Sequence, residues 1–272
     1  MGDKTKLGDR IKGYEYIPRT KLMRRQPVII RLDGKAFHTF TKGMKIPFDD
    51  ILSKTMEDTM KFLCKNIQGC VLGYTQSDEI TLVLIDYKTN ESQAWFDYNI
   101  QKMCSISASM ATLSFNNSFE ENLIKAINNV ENKDEKQKAY LNKMESKLNK
   151  AMFDSRVFSI PQHEVVNCLL WRQQDATRNS IQSVGQANFS QKQLHRKNVD
   201  EIQDMLLLER GINWNNFDTK YKRGTCCIKK EYVINKGTEK EAIRNGWFID
   251  YNIPIFTTDR EYINKLIYID KK

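Results

Sequence analysis

The chain has 272 residues, 40% of them hydrophobic and 28% charged, which is enough apolar material to bury a full-sized core. Its 43 Lys and Arg residues outnumber the 34 Asp and Glu residues and give a net charge of +9. The longest apolar run, Ile80 to Ile85, is far shorter than the roughly 20 residues that span a bilayer. The first residues show neither an apolar signal core nor the N-myristoylation pattern, so the composition argues against membrane and secreted proteins and favours a cytoplasmic one.

The six cysteines show no CxxC spacing, and the chain has only three His. A structural zinc site needs clustered ligands at short intervals, so we expect no zinc site. Cys226 and Cys227 are adjacent in a predicted strand, where neighbouring side chains point to opposite faces and cannot easily chelate one ion. Reduced, structural thiols fit a cytosolic compartment.

The excess of positive charge suits an anionic partner such as RNA, but it is also compatible with a protein that is merely kept in solution by its charge. The basic residues are dispersed in short groups, such as Arg24-Arg25 and Arg196-Lys197, and do not form one tail. Charge alone therefore leaves nucleic-acid binding open.

Apolar runs and helical spacing predict the elements of the first two thirds of the chain. In order they are a strand at 28–32, a helix capped by Asp49 or Asp50, strands at 71–75 and 80–86, a helix from about 92 to 115, a strand at 157–160 and a helix opened by Pro161. This order of strand, helix, strand, strand, helix, strand is that of the ferredoxin-like α+β fold.

The ferredoxin-like order places chemistry-bearing residues together. In this topology the first strand lies beside the third and antiparallel to it, so the end of one meets the beginning of the other. Asp33 follows the first strand, and Asp78 and Glu79 precede the third. The sequence therefore predicts three carboxylates on one rim of the sheet.

The remaining segments are predicted to extend this unit. Residues 116–150 are rich in Asn, Lys and Glu and are expected to form a charged helical insertion outside the core. Residues 186–272 are expected to form a C-terminal extension, with a helix from Val199 to Leu208 that is capped by Asn198 and stopped by Gly211, and a strand at 224–233. Residues 1–185 would then be the catalytic domain.

Two carboxylates at adjacent strand ends are typical of a divalent-metal site for phosphoryl transfer. Mg²⁺ prefers carboxylate, carbonyl and phosphate oxygens, and two such ions can stabilise the attacking and leaving oxygens of an in-line displacement. Gly34 would let the backbone approach a triphosphate and lend its carbonyl to a metal. Strand-end aspartates are also common turn and cap residues, so position alone leaves both interpretations open.

Four strings of residues decide between these interpretations. They are RLDGKAFH at 31–38, YTQSDE at 74–79, FDSR at 153–156 and WRQQD at 171–175. In this order and spacing they resemble the tRNA-histidine guanylyltransferase superfamily, over roughly residues 8–230. The resemblance implies a polymerase-like palm that adds nucleotides to an RNA 5′ end in the 3′-to-5′ direction. The helical insertion and the C-terminal helix and strand extension predicted above would be attached to this palm.

The resemblance also implies roles for single residues. Asp33 and Asp78, with the Gly34 carbonyl, would hold two Mg²⁺ ions, and Glu79 would be the acidic residue beside them. The positions expected around the nucleotide, ATP or GTP, and its phosphates are Arg31, Gly34, His38, Ser77, Lys102 and Arg156. For His38 a purely structural hydrogen bond is an equally open interpretation. Contacts with tRNA are expected from Arg172, Gln173, Asp175 and Asn179.

The chain departs from the family pattern at two places. Ile46 rather than Lys precedes Pro47, and Lys45 is one place earlier, so we assign no phosphate contact to this loop. Enzymes dedicated to histidine tRNA carry a His-Ile-Asn-Asn string in the helix after WRQ, whereas this chain has TRNS at 177–180. The difference resembles the guanylyltransferase-like branch, which is associated with repair of truncated tRNA 5′ ends against a template.

The leading hypothesis is therefore an Mg²⁺-dependent RNA nucleotidyltransferase of this branch, acting on tRNA with nucleoside triphosphates. The resemblance also implies a homotetramer. The alternatives are a dedicated enzyme that adds G before the first nucleotide of histidine tRNA, a non-catalytic RNA-binding palm, and a nucleotidyl cyclase on a related palm. Intact Asp33 and Asp78 argue against a binding module, because like charges placed together repel without a metal.

Overall fold

The computed structural model describes residues 5–129, 134–237 and 241–268. Its strands are β1 (Val28–Gly34), β2 (Cys70–Gln76), β3 (Glu79–Leu84), β4 (Phe153–Ser159), β5 (Thr225–Ile234) and β6 (Ala242–Asp250). Its helices are α1 (Lys6–Tyr16), α2 (Phe37–Phe40), α3 (Asp50–Asn66), α4 (Ile100–Asn128), α5 (Glu135–Glu145), α6 (Glu164–Asn188), α7 (Gln191–Leu194), α8 (Val199–Arg210), α9 (Thr219–Arg223) and α10 (Glu261–Ile267). Within these residues, no helix is long and apolar enough to cross a membrane.

The strands form one antiparallel sheet in the order β4-β1-β3-β2-β5-β6. The first four of these positions are the ferredoxin-like arrangement, so the predicted α+β fold is confirmed. Helices α3 and α4 cover one face of the sheet, and α6 and α10 cover the other. Alternate residues of β1 follow this division, with Ile30 in the first core and Ile29 in the second.

Several local predictions are confirmed. Asp49 caps α3 by accepting hydrogen bonds from the backbone N–H groups of Ile51 and Leu52. Asn198 and Glu201 form a capping box at the start of α8, and Gly211 ends that helix with a φ of 66°. Each of these signals lies within four residues of the helix end that it defines, which is why the sequence alone reveals it.

The expectation that residues 116–150 lie outside the core is wrong. Helix α4 begins later than predicted, at Ile100, and continues without a break to Asn128. Phe115, Phe119 and Leu123 are buried beside the sheet, and Met144 of α5 closes the same core. The apolar residues are sparse but lie four positions apart, so they form one helical stripe that the polar composition hides.

The predicted C-terminal extension completes the sheet, and its predicted strand at 224–233 is confirmed as β5. Strand β5 pairs with β2, so that Tyr74 lies opposite Cys226, and β6 forms the edge. The expected boundary at residue 185 falls inside α6, which runs to Asn188. Cys226 and Cys227 face opposite cores, as their adjacency in a strand predicts.

Candidate active site

Three strand ends meet at one rim of the sheet. Asp33 of β1 lies opposite Glu79 of β3 and opposite Asp154 of β4. The backbone N–H of Gly34 donates to the carbonyl of Asp78 at 3.1 Å and fastens the end of β1 to the β2–β3 hairpin. The predicted meeting of Asp33 with Asp78 and Glu79, 45 and 46 residues away along the chain, is confirmed.

A tight hairpin presents Asp78 at this rim. Gln76 and Glu79 form its last ladder pair, and Ser77 between them has a φ of 49°. The Ser77 hydroxyl donates to Oδ1 of Asp78 at 3.0 Å. This bond holds the Asp78 carboxylate against the turn.

The surroundings of Asp78 and Glu79 disfavour the ionised form of each carboxyl group. Burial raises the pKa of Asp78, and the charge of Asp33 raises it further. Burial also raises the pKa of Glu79, even though Nη1 of Arg172 lies 3.1 Å from its Oε2. Among the described residues, no Lys or Arg nitrogen lies within 4 Å of the Asp33 or Asp78 carboxylate oxygens, so that these two lack a cationic partner.

Two unpaired carboxylates fit a hard divalent cation such as Mg²⁺. No group of three or more His, Cys, Asp or Glu side chains in the described part of the chain forms a ready metal cluster, and Glu79 is turned towards Arg172. Further oxygen ligands would have to come from the backbone and from phosphate. At Gly34 an added Cβ would lie 2.2 Å from the ring of Phe37, so packing as well as chemistry requires glycine here.

A cavity of about 520 Å³ opens beside the hairpin. Its walls come from the loop before α3, from the hairpin, from α6 and from α9. The lining residues with polar or aromatic character include Lys45, Phe48, Ser77, Asn179, Lys220 and Tyr221. The rings of Phe48 and Tyr221 stack at 4.5 Å, and the cavity volume lies within the usual range for small-molecule sites.

Two arginines lie on the same face of the sheet as Asp33. Arg31 and Arg156 are cross-strand partners two residues along their strands from the Asp33–Asp154 pair, and side chains two residues apart share a face. Arg156 is 53% exposed, and the buried Nε of Arg31 has no hydrogen-bond acceptor among the described residues. The structure brings both guanidinium groups to the rim, where they would offset the charge of a phosphate.

Comparison with known proteins fits this geometry. The sequence profile described as "Thg1: tRNAHis guanylyltransferase" matches residues 8–161 of the chain. The chain belongs to the tRNAHis guanylyltransferase family. The coarse family assignment made from the four motifs is thus confirmed.

Individual relatives of the family are similar over most of the chain. A structure described as a bacterial tRNAHis guanylyltransferase (Thg1)-like protein in complex with ATP is 42% identical, covers 97% of this chain and 100% of its own, and superposes with a TM-score of 0.81. Its counterpart in complex with GTP is 39% identical over the same shares, with a TM-score of 0.77. The tRNAHis guanylyltransferase of Saccharomyces cerevisiae is 24% identical over 222 residues, 76% of this chain and 84% of the yeast protein.

The structure does not bring Lys102 to the rim. Its ammonium lies 5.4 Å from the ring of Phe96, at the first turn of α4. Thr112 of the same helix is the residue at rim level, because its hydroxyl accepts a hydrogen bond from the Phe153 backbone. Ten residues of helix separate the two positions, which is about 15 Å. His38 follows the buried Phe37 in the short helix α2 and is exposed near the end of β1.

Two of the four residues expected to bind tRNA are used inside the protein. Arg172 is buried against Glu79 and Asp175. Gln173 is buried, donates to the Pro254 carbonyl and accepts from the Phe256 backbone, so it anchors the C-terminal segment and does not face RNA at the surface. The expectation for Gln173 is wrong because helix α6 turns this position inwards.

The other two expected tRNA residues lie at the surface of α6. Asp175 is partly exposed and bridges Arg172 and Arg178. Asn179 is exposed and lines the cavity beside Ser77. Lys45, to which sequence comparison assigns no contact, also lines this cavity, and its ammonium lies 5.2 Å from the ring of Tyr140. Its position two residues before Pro47 was the available signal.

Proposed function

We propose that this protein is an Mg²⁺-dependent RNA nucleotidyltransferase that adds nucleotides to the 5′ end of truncated tRNA, with the opposite strand choosing the base. The observation that carries the proposal is the unpaired carboxylates of Asp33 and Asp78 at a sheet rim beside a cavity of about 520 Å³. The similar bacterial proteins are described in complex with ATP and GTP, which supports nucleotides as the occupants of this cavity.

The proposed reaction has two displacements. In the first, an oxygen of the tRNA 5′-phosphate attacks the α-phosphorus of ATP or GTP, forms a phosphoanhydride and releases pyrophosphate. In the second, the 3′-hydroxyl of an incoming triphosphate attacks the activated 5′ phosphorus, loses its proton and releases the nucleoside monophosphate. The RNA would thereby grow at its 5′ end by one nucleotide. The new 5′ end carries the triphosphate of that nucleotide, so a further addition would need no separate activation step.

The residues at the rim have separate tasks in this scheme. Asp33, Asp78 and the Gly34 carbonyl would hold Mg²⁺, which when bound lowers the barrier by neutralising charge on the attacking and leaving oxygens. Ser77 orients the Asp78 carboxylate. Arg31 and Arg156 would bind phosphate, because a triphosphate with two magnesium ions still carries charge that Lys and Arg balance.

The residues at 177–180 support template-directed repair over a reaction dedicated to histidine tRNA. Thr177 and Arg178 line an outer cavity, whereas Asn179 and Ser180 line the cavity beside the hairpin. The Ser180 hydroxyl already accepts a hydrogen bond from the Trp214 indole at 3.0 Å. Without the polar groups that read one tRNA, discrimination falls to Watson–Crick pairing and tRNA shape.

The net charge of +9 supports tRNA as the anionic substrate. A homotetramer and a cytoplasmic location remain part of the proposal, on the strength of the family resemblance.

A competition assay tests the function. A 5′-truncated non-histidine tRNA and full-length histidine tRNA are incubated together with Mg²⁺, ATP and labelled nucleoside triphosphates, in a series that places each base opposite the missing nucleotide. We expect growth of the truncated tRNA and addition of the complementary base. Preference for full-length histidine tRNA, or addition of G whatever the template base, would instead identify a dedicated guanylyltransferase. Binding without addition would identify a non-catalytic palm.

A further inference from the structure

We propose that the outer face of α6 carries a second RNA subsite, which stacks an unpaired base of the substrate on Trp171 and holds its phosphate with Arg178. The subsite is a cavity of about 570 Å³, separate from the cavity beside the hairpin. Its lining includes two indole rings, Trp171 and Trp214, and two guanidinium groups, Arg178 and Arg223. This inference rests on the proposed function for two assumptions: that the partner is RNA, and that the RNA end lies at Asp33.

The indole ring of Trp171 is a stacking surface that Arg172 supports. The guanidinium carbon of Arg172 lies 3.8 Å from the Trp171 ring centroid, and Arg172 is itself fixed by Glu79 and Asp175. About half of the Trp171 side chain, 51%, nevertheless remains exposed. A large exposed indole with an ordered support is suited to a nucleic-acid base, because every base offers a π-face and stacking needs no particular sequence.

The second indole defines the opposite part of the cavity. The Trp214 N–H donates to the Ser180 hydroxyl at 3.0 Å, which fixes the orientation of the ring. Trp171 and Trp214 both line this cavity. Gln174 and Thr177 of α6 also belong to its lining. The polar groups of these two α6 residues can hydrogen-bond the edge of a base.

The charge of the cavity indicates an anionic ligand. Among the residues that the structure describes, its lining contains Arg178 and Arg223 and no carboxylate. Arg178 is 58% exposed, and Nη2 lies 2.6 Å from Asp175, so most of its donors are left for a phosphate. Arg223 adds a second guanidinium charge to the lining. This combination of aromatic and cationic groups favours a nucleotide over an apolar peptide.

The cavity also lies near the reaction rim. The guanidinium carbon of Arg31 is 6.0 Å from the Trp171 ring, and Asp33 is two residues further along the same strand and on the same face. Two residues of strand span about 6.6 Å. A base stacked on Trp171 would thus belong to an RNA strand whose end reaches Asp33, and its stacking would position that end.

A binding assay on the full chain tests the subsite without any chemistry. The probe is a short 5′-phosphorylated oligoadenylate, titrated in EDTA and without nucleoside triphosphate, and the readouts are affinity and quenching of tryptophan fluorescence. Trp171→Ala should weaken binding about tenfold and abolish most of the quenching, whereas Trp171→Phe should retain much of the affinity. Phe62→Ala, which removes an exposed aromatic ring from α3, is the matched control and should change neither.

Arg178→Gln gives an independent readout. It should lower the slope of log affinity against log salt by about 0.7, the value for one single-strand phosphate, whereas Trp171→Ala should leave that slope unchanged. Affinity of Trp171→Ala within about twofold of the parent, against the tenfold expected for one stacked base, would overturn the subsite even if the parent repairs tRNA. Binding that depends on Trp171 in a protein that adds no nucleotide would retain the subsite and reject the proposed function.

Discussion

Glu79 and Arg172 form a buried ion pair that joins the rim of the sheet at Asp33 and Asp78 to helix α6, with Arg172 Nη1 3.1 Å from Glu79 Oε2. Asp175 extends the pair, because its two oxygens lie 2.6 Å from Arg172 and 2.6 Å from Arg178. One chain of charges thus runs from the beginning of β3 to the exposed surface of α6. These ion pairs tie α6 to the beginning of β3 and so set the distance between the helix and the rim of the sheet. Because α6 lines both cavities, the same ion pairs help to shape them.

Replacing Arg172 by Met should destabilise the protein by about 3–5 kcal/mol, because Glu79 would remain buried without its counter-charge. Urea unfolding at neutral pH measures this loss. Glu79→Gln is the matched comparison, and it should cost less because Arg172 keeps its bond to Asp175. Equal losses in the two variants would show that the pair matters only through packing.

Asp33→Ala and Asp78→Ala should each abolish nucleotide addition at saturating Mg²⁺, because the loss of a catalytic metal removes several kcal/mol of transition-state stabilisation. Thermal unfolding should show that both variants still fold. Asp154→Ala removes the half-exposed carboxylate directly opposite Asp33 and is expected to retain activity. If either site variant kept activity within about tenfold of the parent, the metal assignment would be wrong.

The pKa of Asp78 predicts a pH dependence in metal-free protein. Burial and the charge of Asp33 raise this pKa, so the folded protein keeps the proton to a higher pH than the unfolded chain does. Protonation of Asp78 therefore stabilises the folded state. This contribution is complete below the ordinary Asp pKa of about 3.9 and is lost as the pH rises through the raised pKa of the folded protein. Asp78→Asn should therefore gain stability relative to the parent as pH rises through that window. Urea unfolding in EDTA across this range measures it, and a constant difference would contradict the assignment.

Lys45→Met should weaken ATP binding by about tenfold or more, as expected for loss of a charged hydrogen bond to phosphate of about 1.5–3 kcal/mol. Calorimetric titration of ATP measures the change. Lys54→Met removes the same charge from α3, outside the cavity, where Lys54 pairs with Asp58, and serves as the control. Similar effects of both substitutions would mean that general charge, and not the cavity, attracts the nucleotide.

Phe119→Ala should destabilise the protein by about 3–5 kcal/mol, the usual cost of deleting a buried ring. Glu120→Ala, at the exposed neighbouring position, should change stability by no more than about 0.5 kcal/mol. Chemical unfolding of both variants compares them. A mild effect at Phe119 would restore the interpretation of this segment as an insertion outside the core.

Local spacing determined much of this protein without reference to its tertiary structure. Asp49 and Asn198 are capping residues because their side chains reach backbone groups two or three residues away. The order of the elements also predicted that Asp33 would meet Asp78 and Glu79, since one common topology makes the first and third strands neighbours. The carboxylates proposed to hold Mg²⁺ could therefore be named from the sequence.

Only the tertiary structure decided which polar side chains face solvent and which serve the core. Gln173 and Asn179 belong to one helix and look alike in sequence, yet the first is bonded to the Pro254 segment and the second lines a cavity. The position of Lys102 along α4 likewise depends on where that long helix crosses the sheet. Burial and hydrogen-bond partners are set by segments that are distant in sequence, and periodicity within one segment carries no information about them.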